Sequence, residues 1–222
     1  MNEPKPGEHD ILISRLVKLV LELGSEQEEG TARKERSFAK TQILLHAMAV
    51  FNRRGLEETS VQDILDAAQI SRRTFYKYFS GKLDVLESLY ALSTKVLLTR
   101  IESELAAVDS REALIRKLIG ICFDYQFSLG HIIGIMMEEA MRSASPLAPQ
   151  RRNLQERMTG LLVLHLERLG YAAPNPYLLL SLALAVEGCS LQVLTQTPET
   201  ERADVIRLCQ EQMLLLWTRA LC

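Results

Sequence analysis

Arg72, Arg73 and Lys77 stand close together in the stretch SRRTFYKYFSGK, interleaved with Thr74, Tyr76 and Tyr78. Guanidinium groups can grip guanine O6 and N7 in a bidentate way, while ammonium and hydroxyl groups suit phosphate oxygens. Phe75 and Phe79, four apart, fall on one face of a short helix and can anchor it in a core. The opposite face then offers Arg72, Arg73, Tyr76 and Lys77 to solvent. The chemistry that fits these residue types is recognition of a nucleic-acid duplex, not bond making. A cationic, aromatic helix face also occurs as an ordinary solvated surface, so the surrounding elements must decide.

Those elements run from Thr59 to Lys82, TSVQDILDAAQISRRTFYKYFSGK, and predict a short helix, a tight turn and a second short helix. Ser60 is an expected N-cap, its hydroxyl accepting from an orphan backbone N–H of the first turn. Ile64, Leu65, Ala67 and Ala68 form a small apolar face, with Ala where two helices must approach closely. Gln69-Ile70 breaks the pattern, and Ser71 is a second N-cap. Upstream, Ile43, Ala47, Val50 and Phe51 recur at helical spacing within Thr41 to Arg54, and Gly55 follows as a left-handed C-cap.

The joint pattern of Phe51, Gly55, Thr59-Ser60-Val61, Ile64, Ala67-Ala68, Ile70-Ser71, Thr74-Phe75-Tyr76, Phe79 and Lys82 resembles the N-terminal domain of the tetracycline-repressor (TetR) family. The likeness covers about Thr41 to Leu89. It implies a homodimeric, ligand-responsive transcriptional regulator, most often a repressor, that holds a palindromic operator in double-stranded DNA. Each recognition helix would enter a major groove. The DNA-contacting set would be Ser60, Gln62, Ser71, Arg72, Arg73, Thr74, Tyr76, Lys77, Tyr78 and Lys82. Arg72 and Arg73 would read base edges, and Ser60, Gln62, Thr74, Tyr76, Tyr78 and Lys82 would mainly hold phosphates. The family commonly has a small residue where Arg73 stands, so this chain departs from the pattern there.

Charge distribution agrees with that assignment. The chain of 222 residues carries a formal net charge of −2, with 47% hydrophobic and 24% charged residues, an ordinary globular composition. From Thr31 to Asp84, however, ten Lys and Arg face six Asp and Glu, whereas residues 1–30 hold three against seven. The positive charge sits where a phosphate footprint would need it. Cys122, Cys189, Cys209 and Cys222 have no spacing that suggests zinc or a disulfide framework. With no secretory signal, a cytoplasmic location is expected.

The expected organisation is an N-terminal extension over 1–32, a helix-turn-helix domain over 33–84 and a helical regulatory and dimerisation domain over 85–222. Within the extension, Ile11 to Leu23 reads as an amphipathic helix too short to span a bilayer, expected to dock on the protein. No membrane partner is expected. After Lys82 the chain reads as helices throughout: Leu83 to Ala107, Arg111 to Leu129, His131 to Arg142, Pro146 to Leu169, Pro176 to Thr195, and a last one opened by Thr197-Pro198. No β-alternation of useful length occurs, and the expected fold class is all-α.

The last two helices are apolar on more than one face, which calls for cover from a second protomer. In the family resembled, this final pair packs against its symmetry mate as a four-helix bundle. Between head and bundle such proteins keep an effector cavity, and the corresponding helices carry Phe123, Tyr125, Gln126, Phe127, Met137, Met141 and His165. A small apolar or amphipathic effector would fit them. Met and aromatic residues at this spacing also serve as plain core.

Catalytic chemistry finds no support. His9, His46, His131 and His165 show no H-E-x-x-H or Glu-x-x-His spacing, and no Walker loop, G-x-S-x-G or dinucleotide fingerprint is present. No enzyme, cofactor or metal is expected. The competing reading is a small-molecule-binding or adaptor helical domain that does not bind DNA.

Overall fold

The computed structural model describes residues 31–128, 131–198 and 200–221. The segment 11–23 and the acidic linker after it lie outside the described residues. Among the described residues there are nine α-helices and no strand: α1 Thr31–Arg54, α2 Val61–Ala68, α3 Arg72–Tyr76, α4 Lys82–Leu105, α5 Arg111–Ser128, α6 His131–Met141, α7 Leu147–Arg168, α8 Pro176–Gln196 and α9 Arg202–Ala220. The all-α expectation holds.

The helix ends follow local chemistry. Gly55 takes φ +78° and its N–H donates to Phe51 O at 2.8 Å, closing α1 with a conformation glycine adopts without a Cβ clash. Gly170 does the same after α7 at φ +85°. Pro176 opens α8 at a position whose N–H has no helical partner, and the Asn175 side chain caps the Tyr177 N–H at 2.8 Å. The final helix begins later than Thr197-Pro198 implies. Its first turn starts at Arg202, whose guanidinium reaches back to the carbonyls of Leu194 and Thr197.

The chain divides into two compact units. The first takes the chain through Val96 and adds Ser128–Glu139; the second holds Leu97–Phe127 and Ala140–Cys222. The first core is built on Ile43, Ala47, Phe51, Ile64, Phe75, Phe79, Val85, Leu86 and Leu89, all essentially inaccessible to solvent. Removing such side chains from water stabilises by about 1.5–3 kcal/mol each before ordering costs. The start of α6 is tied into this unit, because the Ile132 N–H donates to Asn52 Oδ1 at 2.6 Å and Ile132 and Met136 are buried.

In the second unit, Ile101, Leu105, Leu114, Ile115, Ile121, Phe123, Leu147, Leu162 and Leu166 form the core. A partly buried ionic cluster crosses it: Arg151 pairs with Glu187, and Gln155 Nε2 donates to both carboxylate oxygens at 3.0 and 3.1 Å. Within the single chain the last two helices are covered on one side only. Leu179, Leu182, Val186 and Val193 face its core, but Leu180, Leu184, Leu208, Leu215 and Leu216 are 41–54% exposed. One chain has too few elements to cover both faces of α8 and α9.

Candidate nucleic-acid interface

The unit that carries Arg72 is built by two capped helices. Ser60 begins α2 in extended conformation, with a reciprocal capping box: the Asp63 N–H donates to Ser60 Oγ at 3.2 Å, and the Ser60 N–H donates to Asp63 Oδ2 at 2.8 Å. The Ser60 hydroxyl adds a second bond to the same carboxylate oxygen, and Arg54 pairs with the other oxygen. Hydrogen bonds from Ser60 chiefly, helped by the Arg54 charge, hold the Asp63 carboxyl below its ordinary range. The cap therefore stays ionised at any pH near neutral.

Between the helices, Gln69 takes the left-handed conformation at φ +52°, its N–H donating to Leu65 O. This non-glycine residue makes the turn that the broken apolar pattern anticipates. Ser71 then caps α3, its Oγ accepting from the Thr74 N–H at 3.1 Å and bonding the Thr74 hydroxyl at 2.9 Å. The helix is only 5 residues long. Isolated, so short a helix is unstable; here Phe75, fully buried and packed against Phe79 with ring centroids 5.8 Å apart, fastens it to the core.

Burial of those two rings turns Arg72, Arg73, Tyr76 and Lys77 outward, and all four are exposed. Tyr76 packs edge-on against Phe75, and the Lys77 ammonium lies over the Tyr78 ring at 5.5 Å. Ser60, Gln62 and Ser71 are exposed as well, with Thr74 and Tyr78 half-buried. The expected contact residues thus lie on α2, α3, the turns beside them and the first residue of α4.

Two of these residues are engaged inside the protein in ways the sequence reading did not anticipate. Lys82 Nζ donates to the carbonyl oxygens of Leu56 at 2.8 Å and Glu57 at 3.1 Å, so its charge serves the loop after α1 first. Gln62 accepts from an Arg72 N–H at 3.0 Å and donates to Asp66 Oδ1 at 2.8 Å. Asp63 and Asp66 are carboxylates of this surface that the sequence reading did not single out. The Ser60-x-x-Asp63 spacing could have revealed the first, and the four-residue separation of Gln62 and Asp66 the second.

The expected effector residues are distributed differently. Phe123, Tyr125, Gln126 and His165 are buried in the second unit, where Phe123 and Phe127 stack with centroids 5.9 Å apart. Met137 is buried in the first unit, and Met141, at the end of α6, is 42% exposed. Gln126 Oε1 and His165 Nδ1 are buried without a hydrogen-bond partner. Burial, reinforced by the Arg168 charge, pushes His165 below its ordinary value, so the imidazole is neutral at neutral pH. A groove of about 390 Å³ in the second unit is lined instead by Arg100, Glu104, Arg116, Lys117, Gly120 and Asp124 among others, and by none of the expected effector residues. Among the described residues no group of His, Cys, Asp and Glu is arranged to hold a metal ion.

Residues 43–89 match the family described as bacterial regulatory proteins, tetR family. The chain is 29% identical over 142 residues to the HTH-type transcriptional regulator TcmR of Streptomyces glaucescens, a match covering 63% of this chain and 58% of that protein. It thus spans about 58% of the length of the curated relative it matches. A TetR-family transcriptional regulator from Pectobacterium atrosepticum superposes with a TM-score of 0.66 at 19% identity, covering 85% of this chain and 97% of that one. The fatty acid degradation regulator FadR from Bacillus halodurans gives 0.63 at 20% identity, covering 78% and 96%. At such identities these two structures establish a shared fold.

Proposed function

We propose that this chain, which matches the tetR family of bacterial regulatory proteins over residues 43–89, acts in the cytoplasm as a homodimeric, DNA-binding transcriptional repressor, released from a palindromic operator by a small apolar or amphipathic effector. The observation that carries the reading is the α3 face: Arg72, Arg73, Tyr76 and Lys77 exposed together on a helix fixed by the buried Phe75 and Phe79. In this reading α3 enters the major groove, and Arg72 is the foremost base reader. Two-fold symmetry then sets half-sites about one helical turn or slightly more apart, roughly 34–40 Å.

The exposed leucines of α8 and α9 support a second copy of the chain as the dimer partner. Helix α8 is long and apolar enough to cross a membrane. Glu187, midway along it and paired with Arg151, favours protein cover over lipid. The buried Phe123 with the unpartnered Gln126 and His165, all in the second unit, supports an effector site of largely apolar character. Effector release of DNA requires several kcal/mol of differential affinity between the DNA-competent and released states. Helix α4, which runs from the first unit into the second, is the element through which that difference would act.

The test is selection of duplex DNA from a randomised pool by the purified protein, followed by binding titrations at several salt concentrations. The expected result is an enriched palindrome whose affinity falls steeply with salt and is abolished in the Arg72→Ala, Arg73→Ala double variant. A folded wild-type protein that enriches no duplex overturns the proposal in favour of a non-DNA-binding helical domain.

A further inference from the structure

We propose that Asp66 is a positioning residue for base reading, acting through Gln62 on Arg72. The inference rests on the reading of α3 as a recognition helix and adds to it the device that aims its foremost side chain. Asp66 Oδ1 accepts from Gln62 Nε2 at 2.8 Å, and Gln62 Oε1 accepts from Arg72 Nη2 at 3.0 Å. The two bonds form one directed chain from α2 across the turn to α3.

Donor and acceptor chemistry makes the direction unambiguous. A carboxylate only accepts and a guanidinium only donates, whereas a carboxamide has one end of each kind. Gln62 must therefore turn its NH2 toward Asp66 and its carbonyl oxygen toward Arg72. Without Asp66 the amide is free to flip, and an NH2 group facing the guanidinium would repel it. Asp66 thus selects the orientation of Gln62 that holds Arg72. The bond to Gln62 occupies part of one edge of the guanidinium, which has five N–H donors, and leaves enough for a bidentate grip on guanine. All three residues are exposed, so a long Arg side chain would otherwise sample many rotamers and lose that freedom only on binding.

Asp66 carries a second consequence of opposite sign. A carboxylate within a phosphate-binding surface repels DNA of any sequence. Its presence is counterproductive for affinity alone, and is accounted for if it improves discrimination. Charge and hydrogen bonding can be separated, because Gln62→Met removes both hydrogen bonds while keeping the Asp66 charge.

The experiment uses the full chain and the duplex enriched by the wild-type protein, with each base pair of a half-site substituted in turn, alongside an unrelated duplex. Asp66→Ala is expected to lower discrimination at one base pair by roughly fivefold, the lower end of what a bidentate contact supplies, while tightening binding to the unrelated duplex. Asp66→Asn should tighten the unrelated duplex similarly and also lose discrimination, because a carboxamide can turn either end toward Gln62. Gln62→Met should lose discrimination at the same base pair as Asp66→Ala, which keeps the test informative should the latter fold poorly. An unchanged base preference in Asp66→Ala, or in Gln62→Met, would overturn the inference while leaving DNA binding intact. A wild-type protein that selects no duplex overturns the functional reading itself, and this inference with it.

Discussion

The ammonium of Lys82 donates to the carbonyl oxygen of Leu56 at 2.8 Å, spanning 26 positions of sequence to tie the first turn of α4 to the loop after α1. With its second bond to Glu57 O, it closes the chain segment that holds α2 and α3. Lys82→Met, which keeps much of the stem but loses the donors, is expected to lower stability by about 1.5–3 kcal/mol, the range for hydrogen bonds from a charged group. Urea denaturation checks this. Unchanged stability together with weaker binding to every duplex would instead assign Lys82 to phosphate alone.

The uncovered leucines of α8 and α9 predict an oligomeric state. Leu184→Glu or Leu215→Glu would place a charge on a face that a second protomer should desolvate, and an unpaired buried charge costs several kcal/mol. Sedimentation is expected to give a dimer for the wild type and a monomer for either variant at micromolar concentration. A monomeric wild type would refute the dimer and leave this face without a partner.

His165 predicts a pH dependence. Its folded pKa is depressed from 6.5, first by burial and then by Arg168. Below 6.5 the unfolded chain takes up a proton that folded His165 refuses, so stability falls as pH drops from that value through the lower folded pKa. Above 6.5 the residue contributes no slope. Comparing urea midpoints of wild type and His165→Gln between pH 7.5 and 5 isolates it, and identical slopes would contradict the neutral buried imidazole.

The thiols predict chemical inertness. Burial pushes Cys122 up to about 12, aided by Glu187, and burial together with the neighbouring Cys209 thiol pushes Cys189 up to about 12. At pH 8 only about one in ten thousand of each would be thiolate, the form that reacts. Native alkylation with iodoacetamide followed by peptide mass analysis should leave both unmodified. Rapid labelling of Cys189 would show that α8 and α9 separate readily.

Much of the interface is legible in the residues alone. Ser60 and Ser71 cap, Gly55 turns left-handed, and Phe75 and Phe79 bury, because each depends on chemistry within four or five positions. The long apolar helices are legible for the same reason. The start of α9 at Arg202 is less so, since Thr197-Pro198 is a sound start signal and the backbone uses it for a turn instead, with Glu201 N–H donating to Pro198 O at 3.0 Å. The expected effector residues share helical spacing with ordinary core residues, and periodicity cannot distinguish the two.

The all-α class, the short capped helices and the family likeness are carried by periodicity and by residue types a few positions apart. What the polar groups of the interface do follows instead from how the helices pack. Arg72 meets Gln62 across a turn, and Lys82 finds Leu56 and Glu57 far back along the chain. The physical reason is reach: a helical period repeats along one element, whereas a side-chain donor chooses among all acceptors that packing brings within about 3 Å. The same holds for the leucines of α8 and α9. Their apolarity is written in the chain, but which of them face the chain's own core is fixed when the helices pack.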